Sequence, residues 1–323
     1  MGDKHTEATV FAALVVGAVA KLAFGSITRR NRRRMMVHVG RVTQLNCYPV
    51  KSCRGTSVDS GYCTAVGLQI GKVTDRHWLV ARSNGDFITQ RQSLRMALVQ
   101  VTINENDLTF NAPGMPALTI PVDMVPDRSK VTKCRVWEDR LEGMDCGDDA
   151  AFWFSTFLQM PNLRLLFSAP GLQRRELTWT NKPWGNPALP GDQSVFSDYC
   201  GYLVATEESL AFVNDHLKSP VPMKRFRPSI VISGSPAFDE DNWQEIQIGG
   251  SATFRMLDPC TRCIMTTIDE DLAERDPNSE PLETLRTLRC FPEYGKAPLF
   301  GVNATIDIPG VIRVGDPVYA LRK

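Results

Sequence analysis

The chain has 323 residues, of which 43% are hydrophobic and 23% are charged. This length suits about two domains, and this composition excludes a mainly disordered chain, a collagen and a protein with many membrane spans. The net charge is +1, but seven of the 37 basic residues lie in residues 1–34, which leaves a body of 30 basic and 34 acidic residues. A weakly acidic body lacks the basic face that nucleic-acid binding requires, so no nucleic-acid partner is expected.

The cysteine content indicates a reducing compartment. Nine cysteines occur, an odd number at irregular spacing, whereas a disulfide framework is typical of short secreted chains with an even number. Only Cys260 and Cys263 lie close together, in the sequence C-T-R-C. We therefore expect free thiols, and this pair is the candidate for chemistry.

The N-terminus contains a candidate membrane segment. Residues 8–27 are apolar apart from Lys21, and 20 helical residues span about 30 Å, the thickness of a bilayer core. Five arginines follow within residues 29–34, and positive charge after the apolar stretch keeps the body on the cytoplasmic side. A cleaved secretory signal is one alternative, since residues 18–20 read A-V-A, and a helix at the membrane surface is another. The charge order favours a single retained anchor, whose short span suits a thin bilayer such as the mitochondrial outer membrane.

Short strands separated by turn signals dominate from residue 36 onward. Residues 78–89 and 98–110 each predict a hairpin, because β-branched runs flank a cluster of polar turn residues. Further strands are predicted at residues 37–50, 201–206, 230–233, 246–248, 252–257, 264–268, 302–306 and 311–321.

Few helices interrupt these strands. An apolar helical repeat predicts a helix over residues 148–160, and a second is predicted over residues 207–217 with Thr206 as its N-cap. Residues 170–193 hold four prolines and no clear period, which is typical of a long loop. The pattern predicts an α+β, barrel-like architecture. No glycine-rich phosphate loop follows a strand, so nucleotide binding has no support.

The residues alone leave four interpretations of the Cys260–Cys263 pair. The spacing matches half of a zinc site, but no second such pair exists and the four histidines are isolated. It also matches a redox pair, which would sit at a helix N-terminus rather than between strands. A third interpretation is that Cys260 and Cys263 are two half-buried thiols in a β-hairpin with no chemical role. Finally, one thiolate could bind a metal that brings its own other ligands, with Arg262 favouring the thiolate at Cys263.

Cations with neighbouring hydroxyl groups recur where predicted strands start or end. They are Lys51 with Ser52, Arg76, Arg227 with Ser229, and Thr261 with Arg262. An Arg fork and a Lys point charge suit a phosphate, so a shared anion is one hypothesis and ordinary surface ion pairs are the other. Ser197, Asp198 and Tyr199 open a further strand, where Asp198 fits a proton donor, a ligand-orienting group or a turn residue.

Eight short motifs occur in order along the chain. They are Y-P-V-K-S-C at 48–53, D-R-x-W at 75–78, F-S-D at 196–198, F-R-P-S-I-V-I at 226–232, C-T-R-C-I-M-T-T at 260–267, P-L-E-T-L at 281–285, G-K-A-P-L-F-G at 295–301 and V-G-D-P-V-Y at 314–319. With these motifs the chain resembles the MOSC-domain family, and within it the mitochondrial amidoxime-reducing components. The resemblance runs from about residue 36 to the C-terminus, and the apolar start with its arginines is similar as well.

The resemblance implies a domain division as well as a fold. It implies a membrane anchor and Arg cluster in residues 1–34, a β-rich MOSC N-terminal domain over 35–170 and a MOSC domain over 171–323. The expected fold class is α+β, with a β-barrel-like MOSC domain and a single anchor helix before the N-terminal domain.

The resemblance also implies a molybdenum cofactor (Mo-molybdopterin), whose pterin dithiolene supplies two sulfurs to the metal. The family's protein ligand is the Cys after Arg in the C-x-R-C motif, hence Cys263, and soft thiolate ligation suits this metal. Lys51, Arg76 and Arg227 fall on the positions that hold the cofactor phosphate. The segments that line the pterin contribute Ser52, Ser197, Asp198, Tyr199, Ser229, Thr261, Arg262 and Cys263.

The implied activity is the reduction of N-hydroxylated compounds, namely amidoximes, hydroxylamines and N-hydroxyguanidines, to amines or amidines. The net reaction, R–NH–OH with two electrons and two protons giving R–NH2 and water, leaves water or Asp198 as candidate proton donors. The chain has no nicotinamide, flavin or haem motif, and the family implies cytochrome b5 and NADH-cytochrome b5 reductase as electron donors.

The resemblance places the protein in the mitochondrial outer membrane with its catalytic body facing the cytosol. An alternative function is a non-catalytic cofactor-binding or carrier module, like the C-terminal domain of molybdenum cofactor sulfurase. Some positions depart from the family pattern, and the loop before Gly295 and Lys296 is shorter. Ser229 stands where mammalian members tend to have Asn, and residues 268–271 read I-D-E-D where the family has D-P-D-T-G.

Overall fold

The computed structural model describes residues 35–177 and 186–323. The predicted anchor in residues 1–34 lies outside the described residues. Within the two described ranges, no helix is long and apolar enough to cross a membrane.

Most secondary structure in the described ranges is strand, and nearly all strands are short. The first twelve are β1 (Val37–Cys47), β2 (Thr56–Val58), β3 (Ser60–Thr64), β4 (Gly67–Ile70), β5 (Val73–Thr74), β6 (Trp78–Arg82), β7 (Gln100–Ile103), β8 (Asp107–Asn111), β9 (Leu118–Pro121), β10 (Val131–Val136), β11 (Asp139–Asp145) and β12 (Leu163–Phe167). The others are β13 (Arg175–Glu176), β14 (Gln193–Ser194), β15 (Tyr202–Thr206), β16 (Ile230–Ser233), β17 (Trp243–Ile248), β18 (Ala252–Thr261), β19 (Ile268–Asp269), β20 (Glu274–Arg275), β21 (Leu299–Ile308), β22 (Gly310–Arg313) and β23 (Pro317–Arg322).

Helices are fewer and short. The α-helices of the described ranges are α1 (Asp148–Leu158), α2 (Glu207–Asn214) and α3 (Leu282–Leu288). Single 3-10 turns occur at Leu94–Leu98, Arg128–Lys130, Met223–Phe226, Asp239–Asn242, Ile264–Thr267 and Pro292–Tyr294.

Seven strands close into a barrel. Their order is β16-β15-β21-β18-β17-β23-β1, and pairing of β1 with β16 completes the ring, while β2 pairs with β1 outside it. Large apolar side chains fill the interior, among them Tyr202, Trp243 and Phe254. A closed ring leaves no long free edge for unwanted pairing. The expectation of a β-rich α+β fold with a barrel is therefore confirmed.

Strands from the two halves of the chain share sheets. β1 pairs antiparallel with β16 and β23, although these strands are almost 200 residues or more away in sequence. β3 likewise pairs with β22. The first strand of the chain thus completes the C-terminal barrel, and the division at residue 170 stays a prediction.

β3, β4 and β5 form a sheet with β22, and strands β6 to β12 form two further sheets, whose core includes one face of α1. β6, β10, β11 and β12 form one antiparallel sheet, and β7, β8 and β9 form a meander. Trp153, Phe154 and Phe157 of α1 are buried in this core, where the Phe154 ring lies edge-on to Phe110 at 5.5 Å between centroids. The predicted helix over 148–160 and the hairpin over 98–110 are confirmed, within two residues at their ends.

The hairpin expected over residues 78–89 is present in a short form. Ala81 bridges to Phe87, and the Ile88 amide donates to the Val80 carbonyl at 2.8 Å, while β6 also pairs with β12. Two local predictions are wrong. α2 ends at Asn214 instead of 217. The strand expected over 264–268 is a 3-10 turn, because the hydroxyls of Thr266 and Thr267 donate to the carbonyls three residues earlier, at 3.0 and 2.8 Å. α3 was not predicted.

The N-terminus of α2 lies against a buried carboxyl group, Glu240, which is fully shielded from solvent. The hydroxyl of Ser209 donates to its oxygens at 2.8 and 2.9 Å, and the hydroxyl of Thr206 does so at 3.0 Å. Burial, together with the neighbouring Asp241 charge, raises the pKa of Glu240 to about 7 despite these hydroxyls. Below about pH 7, the folded protein therefore holds Glu240 mainly in its protonated form.

This raised pKa predicts a pH-dependent effect of Glu240→Gln. The stability contributed by protonated Glu240 is complete below the ordinary pKa of 4.5 and is lost as the pH rises through 7. The neutral Gln variant should therefore exceed the wild type in free energy of unfolding at pH 8.5, by up to roughly 3 kcal/mol, and approach it at pH 4.5. Urea unfolding at both pH values measures this, with exposed Glu274→Gln as the control. Equal differences at the two pH values would contradict it.

Candidate active site

A cavity of about 440 Å³ gathers most of the residues predicted for the site. Ten of the eleven line it, although they come from segments scattered between residues 51 and 263. They are Lys51, Ser52, Arg76, Ser197, Asp198, Tyr199, Arg227, Thr261, Arg262 and Cys263.

Backbone pairing brings the first cations of the cavity together. Val50 bridges to Trp78, the Lys51 amide donates to the Trp78 carbonyl at 2.9 Å, and the Arg76 amide donates to the Tyr48 carbonyl at 2.8 Å. The segment after β1 therefore runs beside the turn between β5 and β6. Lys51 and Arg76 are placed by the fold rather than by side-chain contacts alone.

Four non-glycine residues of the cavity wall have left-handed backbone conformations. The φ angles are 66° at Ser52, 50° at Arg76, 55° at Trp137 and 56° at Arg227. Such conformations are unfavourable for residues with a Cβ and cluster at functional sites. Their concentration around one cavity supports a functional interpretation of it.

Arg76 and Arg227 share one aromatic ring. The central carbon of each guanidinium lies 4.4 Å from the centroid of the Tyr48 ring. In addition, Nη2 of Arg76 donates to the Arg227 carbonyl at 3.3 Å. The two cations are thereby held close together despite their like charge, as a common anionic partner would require.

Each of these arginines also contacts a buried carboxylate. Arg76 pairs with Asp75, and Arg227 pairs with Glu270 at 3.1 Å. The Arg227 and Glu270 side chains are only 10% and 5% exposed. Arg227 also donates to the Cys53 carbonyl at 2.7 Å. Both guanidiniums are therefore fixed before any ligand binds.

Lys51 forms a separate ion pair with Asp198. Its ammonium also donates to the Phe196 carbonyl at 2.8 Å, and the Trp137 indole donates to Asp198 at 3.1 Å. Burial lowers the pKa of Lys51, although Asp198 opposes this. Desolvation works to raise the pKa of Asp198, but Lys51, the nearby Arg91 charge and the indole overcome it and hold this pKa well below its usual range.

Asp198 is consequently an ionised hydrogen-bond acceptor at neutral pH. A carboxylate in that state accepts hydrogen bonds, and the proton-donor hypothesis for Asp198 stays a prediction. Its contacts with Lys51 and Trp137 place Asp198 in the wall of the cavity, and a role as a ligand-orienting group also stays a prediction. Arg175 supports this wall from behind by donating to the carbonyls of Ser197 and Asp198.

The two cysteines of the C-T-R-C motif differ in their surroundings. Cys263 is exposed into the cavity, and Cys260 is half-buried. The position of Arg262 beside Cys263 suggested that its guanidinium contacts the Cys263 sulfur. Within the described residues it has other partners. Its guanidinium donates to the Cys260 sulfur at 3.0 Å and to the Phe226 carbonyl at 2.8 Å.

The cation that contacts Cys263 is Arg91, whose Nη1 lies 3.5 Å from the sulfur. Sequence inspection missed Arg91, as well as Trp137, Arg225, Met265 and Asn303, which also line the cavity. Arg225 directly precedes the F-R-P-S motif, so its position in the sequence could have indicated that it lies near the cavity. Arg91 and Trp137 lie in unremarkable turns and offered none.

Ser229 is the one predicted residue outside the cavity lining. It is fully buried, its amide donates to the Leu203 carbonyl, and its carbonyl accepts from the Asn46 amide, both at 2.9 Å. These bonds join the segment before β16 to β1 and β15. Its hydroxyl has no hydrogen-bond partner in the described part of the chain.

The described ranges contain no group of three or more His, Cys, Asp or Glu side chains that could hold a metal ion. The cavity instead presents the single exposed thiol of Cys263. This arrangement matches the interpretation in which a metal brings its other ligands with it.

Comparison with known proteins agrees with the motifs. The profile described as "MOSC N-terminal beta barrel domain" matches residues 39–161, and the profile described as "MOSC domain" matches residues 192–319. The chain belongs to the MOSC-domain family. Its MOSC N-terminal match includes Lys51, Ser52, Arg76 and Arg91, and its MOSC match includes the cavity residues up to Asn303.

Within the MOSC proteins, the curated relatives are amidoxime-reducing components. "Mitochondrial amidoxime-reducing component 1" from Mus musculus is 40% identical over 94% of this chain and 90% of its own length. The Homo sapiens component 1 is 40% identical over 95% and 91%. Component 2 from Bos taurus is 39% identical over 91% and 87%. The resemblance seen in the sequence is confirmed.

Proposed function

We propose that the protein is a molybdenum-dependent reductase of N-hydroxylated compounds and that the basic cavity holds its cofactor. The reaction class rests on relatives that share up to 40% identity over nearly the whole chain and are named for amidoxime reduction. The observation that supports this site is the presence of one exposed thiol, Cys263, in the same cavity as the fixed cations Arg76 and Arg227.

The charges of the cavity fit an anionic cofactor. One carboxylate, Asp198, faces six cations in the lining, namely Lys51, Arg76, Arg91, Arg225, Arg227 and Arg262. In the described part of the chain, Nε and Nη1 of Arg225 and Nε of Arg262 are buried donors without a partner. Unpaired buried donors cost free energy, so a ligand rich in acceptors, such as a pterin with a phosphate group, is the matching occupant.

Each part of the wall has a distinct task in this proposal. Lys51, Arg76 and Arg227 hold the phosphate, and the thiolate of Cys263 binds the metal. Asp198 accepts hydrogen bonds and orients the wall between Lys51 and Trp137. When bound, the molybdenum centre supplies a two-electron couple that removes the oxygen of the N-hydroxyl group. The two protons come from water, either directly or relayed by Asp198.

The electron donors are proposed on the family resemblance and on the chain's own composition. The sequence has no nicotinamide, flavin or haem motif, so reducing equivalents must arrive from another protein. Cytochrome b5 and NADH-cytochrome b5 reductase are the proposed donors.

Metal analysis combined with a coupled assay tests the function. The purified protein should contain molybdenum and should oxidise NADH in the presence of benzamidoxime, cytochrome b5 and its reductase. Loaded protein without turnover would favour the carrier-module alternative. Protein without molybdenum or pterin after expression in a cofactor-producing host would contradict the proposal.

Residues 1–34 are proposed as an anchor in the mitochondrial outer membrane, with the body facing the cytosol. Relatives named mitochondrial support the organelle, and the five arginines after the apolar stretch support the orientation. Deleting residues 1–34 should abolish membrane attachment and preserve turnover with soluble donors, because the proposed site begins at Lys51. Carbonate extraction measures the attachment. Protease added to intact mitochondria should degrade the body of the full-length protein, and protection would contradict this orientation.

A further inference from the structure

Arg91 lies in a tightly held turn that links the two parts of the cavity wall. Its amide donates to the Thr89 hydroxyl at 3.1 Å, and its carbonyl accepts from Nη2 of Arg275 at 3.1 Å. Next to it, the buried side-chain amide of Gln90 donates from Nε2 to the Ser52 carbonyl at 3.0 Å. The Arg91 backbone is therefore held at both its amide and its carbonyl, and the Gln90 side chain ties the same turn to Ser52.

The guanidinium of Arg91 is clamped between a ring and a sulfur. Its central carbon lies 4.6 Å from the centroid of the Trp137 ring, and Nη1 lies 3.5 Å from the sulfur of Cys263. Trp137 is fixed in turn by its hydrogen bond to Asp198. A cation that stacks on an aromatic face loses little freedom when it donates to a further acceptor. The Arg91 contact with Cys263 is thus built into the fold.

Arg91 also differs from the other cations of the cavity in its pairing. Lys51, Arg76, Arg225 and Arg227 each form an ion pair with a carboxylate. Within the described residues, no ion pair with a carboxylate occurs at Arg91 or Arg262, and only Arg91 among all these cations contacts Cys263. Its guanidinium therefore donates to the thiol, while its charge also helps to lower the pKa of Asp198.

We propose that Arg91 is a positioning residue that donates a hydrogen bond to the Cys263 sulfur and thereby tunes the metal centre. This inference rests on the proposed function, because it takes Cys263 as the metal ligand. A hydrogen bond and a positive charge at a ligating sulfur withdraw electron density from it, and contacts of this kind help to set reduction potentials. Arg91 therefore stabilises the reduced state of the centre and fixes the orientation of the thiolate.

Arg91→Gln tests the proposal, and Arg95→Gln is the matched control. Arg95 lies four residues away, stacks on Phe157 at 4.5 Å and donates to its carbonyl at 2.7 Å, but does not line the cavity. Arg91→Gln should shift the molybdenum reduction potential to lower values and reduce kcat by about tenfold or more, in the range found when contacts to metal ligands are removed. KM, molybdenum content and unfolding midpoint should match those of the control.

Arg91→Lys serves as the conservative variant. It keeps the charge but loses the planar group that stacks on Trp137, so its potential and kcat should lie between those of the wild type and Arg91→Gln. The potential is measured by titration of the Mo(V) electron paramagnetic resonance signal, and metal content by mass spectrometry.

The outcomes separate this inference from the proposed function. Wild-type protein that lacks molybdenum or turnover would contradict the proposed function itself. A second outcome is that the wild type contains molybdenum and is active, but Arg91→Gln has the same reduction potential and kcat as Arg95→Gln. That outcome would overturn the positioning role alone. Loss of molybdenum from Arg91→Gln in proportion to activity would also overturn it, because Arg91 would then be a cation that retains the cofactor.

Discussion

Cys263→Ala is expected to abolish amidoxime reduction while leaving the fold and most pterin binding intact. Its side chain is exposed in the cavity, so its removal creates no buried void and should not change the unfolding midpoint. The cations proposed to hold the phosphate remain in place. Loss of the metal ligand itself should lower kcat by more than about a hundredfold, beyond the range for loss of a supporting contact. Turnover, pterin content and thermal unfolding measured on one preparation check the three parts of this prediction.

Cys260→Ala is the natural control, since it changes the other thiol of the same motif. Its sulfur accepts from Arg262 at 3.0 Å, so the variant should lose some local order but retain most activity. If Cys260→Ala were inactive and Cys263→Ala fully active, the metal ligand would have been assigned to the wrong cysteine.

The sequence was sufficient to predict where the main cations of the cavity come from. Lys51, Arg76 and Arg227 each stand next to a β-branched run, and the ends of strands that pair with one another meet at a common edge. Chain connectivity and strand chemistry are local properties, so they can be inferred from the residues. Closure of the barrel through β1 was not predictable, because it depends on pairing between strands almost 200 residues apart.

The side-chain contacts of Arg262 could not be predicted from its position next to Cys263 in the sequence. Arg262 stands beside Cys263 in the chain but contacts Cys260, two residues before it. In an extended segment, residues i and i+2 share a face and residues i and i+1 do not, which explains this contact. Arg91 is 172 residues from Cys263 and reaches it only through packing of the N-terminal strands against the barrel. No local pattern could have predicted that contact.

The acidic run that departs from the family pattern has a structural explanation in its ion pairs. Asp269 pairs with Arg225 at 2.8 Å, Glu270 with Arg227 at 3.1 Å, and Asp271 with both Arg54 at 2.9 Å and Lys224 at 2.7 Å. Three consecutive carboxylates thus hold the segment that supplies two cavity cations. These ion pairs lie behind the cavity wall, and none of the three carboxylates lines the cavity.

These pairs determine how the role of Arg227 can be tested. Arg227→Gln alone would leave Glu270 buried without its cation, at a cost of about 3–5 kcal/mol in stability, and misfolding would then mimic a loss of binding. The double variant Arg227→Gln/Glu270→Gln replaces the buried ion pair with two neutral amides and is expected to fold. It is therefore the informative variant for cofactor binding.

The double variant should lose most of its molybdenum cofactor while keeping an unfolding midpoint near that of the wild type. Each charge-assisted hydrogen bond to phosphate contributes about 1.5–3 kcal/mol, which corresponds to cofactor retention weakened roughly tenfold to hundredfold. Lys224→Gln/Asp271→Asn is the control, because it removes a neighbouring, exposed ion pair of the same acidic run outside the cavity lining, and its cofactor content should stay close to normal. Molybdenum and pterin per protein, measured after identical purification, compare the two variants. Full cofactor content in the folded double variant would mean that Arg227 and Glu270 form only a structural ion pair, and that the phosphate is held by other cations of the cavity.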